Sequence, residues 1–239
     1  MKKIEKKIKD YLIKLYPFNK LYFFLKILKK SKKRYYYADN GEDIIIQGLF
    51  NHKKDGFYID VGCYHPVRAS LTHLLYKKGW KGVNIDISKD TINLFNIARP
   101  NDKNINIGIA DKEGEDFYYQ SSHINQANSF KFYDNIKKVK VQITTLDNII
   151  KNLGIEKIDF LNIDVEYRDF KALKGLNLNN VRPSLIAIED NDAYDIADVT
   201  NSDIYKYMTN KEYFLYSKLN CTNFYLDKRY KSNLNDILN

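Results

Sequence analysis

The chain has 239 residues, of which 44% are hydrophobic, so it can bury a substantial core and wholesale disorder is excluded. Its formal net charge of +9 is unevenly distributed. Residues 1–34 hold thirteen Lys and Arg against Glu5 and Asp10, a local net of +11, and the other 205 residues carry a net −2. The nearly neutral body disfavours a basic nucleic-acid cleft.

Cysteine usage and hydropathy indicate a cytoplasmic protein. Cys63 and Cys221 belong to no C-x-x-C pair, and a disulfide framework is not expected in a chain of this size. The longest apolar run near the start, 21–28, falls short of the roughly 18 residues that span a bilayer. It is interrupted by Lys26, and no small-residue cleavage site follows it, so a signal peptide is disfavoured.

Residues 1–38 are predicted to form a basic amphipathic arm. On either side of Pro17, apolar side chains recur at helical spacing, and lysines occupy much of the remainder. Such a helix can lie on an anionic membrane, here the inner face of the cytoplasmic membrane. The alternative is that it packs on the domain or on a partner subunit, for example in a homodimer.

Residues 39–239 are predicted to form one α/β domain, because short apolar runs alternate with helical segments. The parallel strands are expected at 57–61, 82–87, 104–110, 158–165 and 184–189. Helices are expected at 69–78, 91–98, 146–153, 170–176 and 204–208. Further strand candidates lie at 117–120 and 138–143, flanking a polar loop at 121–128, and 213–216 can pair with 223–226 as a hairpin. The pattern predicts a doubly wound parallel sheet with a C-terminal antiparallel hairpin.

Carboxylates lie at the carboxyl end of every predicted parallel strand. In such a sheet, ligands bind beyond the carboxyl ends of the strands, where the strand order reverses. One Asp at a strand end is commonly a cap or a turn former, but five at one edge indicate a site. Asp86, about twenty residues after the end of the first strand, stands at the position expected for a ribose-binding carboxylate. In chain order these residues are Asp60, Asp86, Asp111, Asp164, and Glu189 with Asp190.

The loop after the first strand disfavours a dinucleotide. Residues 62–67 read GCYHPV, with one glycine and a proline in place of G-x-G-x-x-G. Gly62 allows a tight turn against a ligand. A cofactor that has a ribose but no phosphate, such as S-adenosylmethionine, suits this loop better.

Several segments resemble the FkbM family of methyltransferases. They are GFYIDVG at 56–62, SLT at 70–72, KGWKG at 78–82 and IDVE at 163–166, with shorter matches at 41–43, 99–100, 145–147 and 182–189. The resemblance covers roughly 39–190. Tyr167 stands where the family commonly has glycine, and His65 and Pro66 stand where many members have a later glycine.

The resemblance implies a Rossmann-like class I methyltransferase with a mostly parallel seven-stranded sheet. It implies O-methylation of a sugar, nucleotide-activated or lipid-linked, in bacterial surface-glycan biosynthesis of the capsule or lipopolysaccharide type. It also implies cofactor roles for matching positions. Asp60, Gly62 and Tyr64 would surround the methionine part of S-adenosylmethionine, with Ser70 and Asp164 close by; Asp86 would bind the ribose, Ile87 would pack on the adenine, and Ala110 and Asp111 would meet its edge.

Methylation of a sugar hydroxyl, a weak acid, needs a base or a divalent cation. His65 is the first choice of base and His123 the second; Asp164, Glu166 and Glu189 are further catalytic candidates. Asp164, Glu189 and Asp190 together offer oxygen ligands for Mg²⁺ or Mn²⁺. In the metal-free alternative, Asp164 orients the cofactor and Glu189 caps the next segment.

The sequence leaves three alternatives to this function. A methyltransferase acting on nucleic acid is disfavoured by the nearly neutral body and by the lack of an Asn-Pro-Pro-Tyr-type motif after the fourth strand. A non-catalytic, membrane-associated scaffold of the same fold is suggested by Tyr167. Another small molecule as methyl acceptor also remains open.

Overall fold

A computed structural model describes residues 20–21, 35–120 and 137–230. The chain divides into two compact units, Met1–Tyr35 and Tyr36–Asn239. Apart from 20–21, the predicted arm helices lie outside the described residues, and so does the loop with His123. In the part of the chain that is described, no helix has the length and apolar character needed to cross a bilayer.

The second unit alternates strands and helices, with the following bounds. The strands are β1 (Phe57–Val61), β2 (Lys81–Asp86), β3 (Lys103–Asn106), β4 (Gly108–Ile109), β5 (Gly114–Gln120), β6 (Lys137–Thr144), β7 (Phe160–Ile163), β8 (Leu185–Glu189), β9 (Tyr213–Leu219) and β10 (Thr222–Asp227). The helices are α1 (Glu42–Leu49), α2 (His73–Lys77), α3 (Lys89–Ala98), α4 (Leu146–Leu153), α5 (Asp169–Lys174), α6 (Ile196–Asn201) and α7 (Asp203–Asn210).

Seven strands form the main sheet in the order β3-β2-β1-β7-β8-β10-β9. Strands β3, β2, β1, β7 and β8 are parallel, while β10 runs antiparallel to both β8 and β9. This confirms the predicted doubly wound, mostly parallel sheet and its C-terminal hairpin. The strand order reverses between β1 and β7, which is where such sheets bind ligands.

Each face of the sheet packs on its own hydrophobic core. Ile59, Leu161 and Ile186 lie side by side on one face, and Tyr58, Phe160 and Leu185 on the other. Strand β7 is fully buried because helices cover both faces, so its sequence is continuously apolar or neutral and does not alternate. The two cores hold the sheet in place, and the site lies at the carboxyl ends of its parallel strands.

The predicted third strand, 104–110, is divided between two sheets. Strand β3 ends at Asn106, where the Ile107 N–H donates to the carbonyl of Asp86 at 3.1 Å. The chain then enters a separate three-stranded sheet of order β4-β6-β5. Consequently Ala110 and Asp111 follow the second sheet, and the prediction that they end a strand of the main sheet was wrong.

Gly62 turns the chain at the carboxyl end of β1. Its φ is +78°, and a Cβ there would overlap the backbone carbonyl of Asp164. The Gly62 N–H donates to Ile85 O at 2.8 Å, and the Asp164 N–H donates to Val61 O at 2.9 Å. The ends of β1, β2 and β7 are therefore tied together at a position that needs glycine.

We predict that Gly62→Ala lowers the free energy of unfolding by about 3 kcal/mol or more, because the methyl group meets backbone and φ is left-handed. Gly48→Ala is the matched control. Gly48 lies exposed in α1 with no atom within 4 Å of a built Cβ, so alanine should raise stability by about 0.5–1 kcal/mol. Urea denaturation measures both. Wild-type stability in Gly62→Ala would contradict the close approach.

Candidate active site

A cavity of about 320 Å³ opens at the carboxyl ends of the parallel strands, at the point of strand-order reversal. Its walls come from the ends of β1, β2, β7 and β8, from the segment before α1, and from the turn between β9 and β10. The predicted site residues that line it are Asp60, Gly62, Tyr64, Ser70, Asp86, Ile87, Asp164, Glu166 and Glu189.

Asp86, at the end of β2, is held by two backbone groups. Its Oδ1 accepts from the Ser88 N–H at 2.7 Å, and its Oδ2 accepts from the Tyr64 N–H at 3.1 Å. A carboxylate offers about four lone-pair sites, so two remain for hydroxyl donors of a ligand. Burial raises the pKa of Asp86 to about 6. The geometry fits a carboxylate that receives both hydroxyls of a ribose.

Beside Asp86 the cavity wall is apolar. Ile87, Ile107 and Ile109 supply it and would flank a flat ring. Sequence reasoning found Ile87 but missed the other two. Ala110 and Asp111 do not line the cavity, so their expected adenine contacts are not supported. The reason is the change of sheet at Ile107. The Ala110 N–H donates to Thr144 O at 2.9 Å, and Asp111 is exposed, 4.0 Å from the Lys174 ammonium.

Asp60 and Ser70 line the cavity but are already engaged by the protein. Asp60 accepts from Thr72 Oγ1 at 2.6 Å and from Asn162 Nδ2 at 2.9 Å. Ser70 Oγ accepts from the His73 N–H at 3.1 Å and from Arg99 Nη2 at 2.8 Å. Their hydrogen bonds hold the cavity wall in place. Arg99, in the short family match at 99–100, carries no role in the sequence reasoning.

Three carboxylates converge at the ends of β7 and β8. Burial, then the charges of Glu189 and other acids, raises the pKa of Asp164 well above its usual range. Burial, then Glu189, raises the pKa of Glu166 to about 7. Glu189 accepts from the Cys221 thiol at 3.2 Å and from Asn191 Nδ2 at 3.2 Å. Burial and a neighbouring negative charge both disfavour the ionised form, which leaves Glu166 able to exchange a proton near neutral pH.

The backbone after Asp164 is left-handed at two successive non-glycine residues. Glu166 has φ +52° and Tyr167 has φ +67°. Each costs about 1–2 kcal/mol relative to a right-handed conformation. Arg168 pairs with Asp116 of β5 immediately afterwards. A left-handed backbone favours glycine, so Tyr167 occupies a strained position beside Glu166, which lines the cavity.

The predicted metal set of Asp164, Glu189 and Asp190 is not assembled. Neighbouring residues of a strand point to opposite faces. Glu189 lines the cavity, whereas Asp190 lies near Tyr225, whose pKa is raised by burial and by that charge. Across residues 35–120 and 137–230, no three His, Cys, Asp or Glu side chains are grouped so that they could hold a metal ion.

His65 is not brought to the cavity either. Its Nδ1 accepts from the N–H groups of Val67 at 3.1 Å and Arg68 at 3.0 Å, so the ring closes its own turn. Burial and the charges of Arg68 and Arg99 lower its pKa. This use of the ring nitrogen within the loop removes the support for His65 as the general base.

Comparisons with known proteins give two similar structures and one matching family model. The chain is similar to two solved structures. One is the methyltransferase FkbM from Methylobacillus flagellatus KT, with 14% identity and TM-score 0.45; the match covers 72% of this chain and 44% of that one. The other is a TehB-like SAM-dependent methyltransferase from Corynebacterium glutamicum, with 11% identity, TM-score 0.42, and coverage of 88% and 97%.

This chain therefore spans less than half the length of the first structure. No curated protein sequence matches the chain significantly. The model of the methyltransferase FkbM domain matches residues 60–215, more than half of the chain, from the Asp60 end of β1 into β9. The chain belongs to the FkbM methyltransferase family.

Proposed function

We propose that this chain is an S-adenosylmethionine-dependent O-methyltransferase that acts on a sugar hydroxyl in surface-glycan biosynthesis. The observation that carries the proposal is one cavity that combines Asp86 beside an isoleucine wall with the acidic pair Glu166 and Glu189. When bound, S-adenosylmethionine supplies an electrophilic methyl group on a sulfonium.

The cofactor side of the cavity fits that molecule in chemistry. Asp86 would accept from the two ribose hydroxyls, and Ile87, Ile107 and Ile109 would cover the adenine. Tyr64 and Gly62 would close on the methionine end. The acidic lining would offset the positive charges of the sulfonium and the amino group.

On the acceptor side, Glu166 would take the proton of the reacting hydroxyl. A general base works best when its pKa lies near the working pH, and the pKa of Glu166 is about 7. Glu189, held by Cys221 and Asn191, would orient the hydroxyl. Alignment of the hydroxyl with the methyl group supplies much of the remaining acceleration.

A sugar suits the acceptor side because its hydroxyls can donate to the carboxylates and to Asn220 and Thr222. Within the described lining there is no Lys, Arg or His, so this part of the wall offers no cation to a phosphate. We infer that the sugar ring enters the cavity and that the phosphates of a nucleotide-activated or lipid-linked sugar remain outside. The same charge pattern disfavours nucleic acid.

The basic arm, with a net charge of +11 over residues 1–34, is proposed to bind the inner face of the cytoplasmic membrane. Basic residues near an anionic surface gain about 1 kcal/mol each, so thirteen of them suffice for peripheral binding. The arm would then set the location of the enzyme, while the site residues lie beyond it.

We predict that Asp86→Ala weakens S-adenosylmethionine binding at least tenfold, because charge-assisted bonds to the ribose contribute about 1.5–3 kcal/mol. Asp111→Ala is the control, since Asp111 is exposed and away from the cavity; its affinity should stay within twofold of wild type. Isothermal titration calorimetry on folded variants measures both. Equal affinities in the two variants would remove Asp86 from the cofactor site.

We predict that kcat/KM for S-adenosylmethionine, which reports the cofactor-free enzyme, falls as the pH drops through about 7, because Glu166 accepts a proton only when ionised. Glu166→Gln should lose about 10²- to 10⁴-fold in kcat and abolish this inflection. Glu156→Gln, at an exposed loop position, should keep the wild-type profile. Methyl transfer from radiolabelled S-adenosylmethionine to a panel of bacterial nucleotide sugars measures the rates. An unchanged inflection in Glu166→Gln would assign the base elsewhere.

We predict that deletion of residues 1–33 abolishes sedimentation with anionic vesicles and leaves activity on a soluble acceptor within a few-fold. Binding of the full chain should weaken steeply with salt, because surface charges are screened within about 8–10 Å at physiological ionic strength. Neutral vesicles provide the control. Loss of activity on truncation would instead make the arm part of the acceptor site or of a dimer.

A further inference from the structure

Arg99 is a charged side chain that is only 1% exposed, at the end of α3. Its guanidinium holds the loop between β1 and α2 at three places. Nε and Nη2 donate to Pro66 O at 3.0 and 2.5 Å, Nη2 donates to Ser70 Oγ at 2.8 Å, and Nη1 donates to Thr72 Oγ1 at 2.7 Å. A planar fork with five donors is suited to several acceptors at once.

The loop that Arg99 holds is strained and functional. Tyr64 and Ala69 are non-glycine residues with φ of +48° and +53°. Both line the cavity, as do Ser70 and Leu71. Strained backbone persists only where surrounding contacts over-determine it. The bonds from Arg99 supply that restraint, and Arg99 is not among the residues that line the cavity.

The same guanidinium is linked to the carboxylate at the cavity floor. Thr72 Oγ1 accepts from Arg99 and donates to Asp60 Oδ2 at 2.6 Å. The same Nη1 also donates to Tyr58 Oη at 3.3 Å, and the Tyr58 hydroxyl donates to Asp102 Oδ2 at 2.5 Å. The buried Arg99 cation is thus linked to two carboxylates, each through one hydroxyl. Asp60, reached through Thr72, lines the cavity, whereas Asp102, reached through Tyr58, does not.

We propose that Arg99 is a positioning residue for the cofactor, acting through Pro66, Ser70 and Thr72 on the cavity wall. The proposal rests on S-adenosylmethionine being the molecule that the wall receives. Lysine would keep the charge but has no fork, so a single ammonium nitrogen would replace the three nitrogens of Arg99 that reach these acceptors. The geometry also divides the network: Thr72 transmits the effect to Asp60, whereas Tyr58 and Asp102 stabilise the protein without reaching the ligand space.

The test compares five full-length variants by calorimetric titration with S-adenosylmethionine, urea denaturation and steady-state kinetics. Arg99→Lys and Arg99→Met should weaken cofactor affinity at least tenfold, and Thr72→Val at least fivefold, while KM for the acceptor stays within threefold. Tyr58→Phe should lower stability with affinity within twofold. The matched control is Arg182→Met. Arg182, in the segment before β8, is also largely buried and pairs with Asp227 at 2.9 Å, so its loss should cost stability without changing affinity.

The proposal is overturned if Arg99→Lys and Thr72→Val bind the cofactor within twofold of wild type. It is equally overturned if Arg182→Met loses as much affinity as Arg99→Met at a similar loss of stability, since Arg99 would then act only on the fold. If Arg99→Met does not fold, Arg99→Lys and Thr72→Val decide the outcome. Wild-type protein that does not bind S-adenosylmethionine would contradict the proposed function itself, before any variant is compared.

Discussion

The close approach of Gly62 to the carbonyl of Asp164 is the contact on which the cavity depends. It brings the ends of β1 and β7 together where the strand order reverses, so that side chains from both halves of the sheet reach one space. The hydrogen bond from the Gly62 N–H to Ile85 O joins β2 to the same place. Backbone contacts therefore fix all three strand ends, and the Arg99 side chain holds the loop that follows β1.

Much of this architecture follows from local sequence rules. The predicted helix 146–153 matches α4 to the residue, because Thr145 caps its start through the Asn148 N–H and Gly154 ends it in a left-handed conformation. The strand 57–61 matches β1 for a similar reason, an apolar run between turn signals. The position of Asp86 followed from its distance along the chain from the end of β1. One loop, one helix and one strand lie between the ends of successive parallel strands.

The remainder depends on contacts that local rules do not encode. Isoleucines continue from β3 through Ile107 into β4, so the apolar run gives no sign that the chain changes sheets there. Arg99 could not be recognised, because a lone arginine in sequence is usually a surface residue. The error at Asp190 was avoidable in part. Asp190 directly follows Glu189, the last residue of β8, and continued alternation along the chain allows only one of them to face the cavity.

The carboxylates that would suit the site to a cationic ligand also destabilise the ligand-free protein when they are ionised. Asp164, Glu166 and Asp169 all have pKa values raised by burial and by the charge of Glu189. Such groups bind more protons folded than unfolded, so their contribution to stability is present at low pH and is lost as the pH rises towards 7. A sulfonium and an amino group placed among them would favour the ionised forms and reverse part of that loss. Cofactor binding would therefore release protons, and the same event would leave Glu166 ionised for its proposed role as the base.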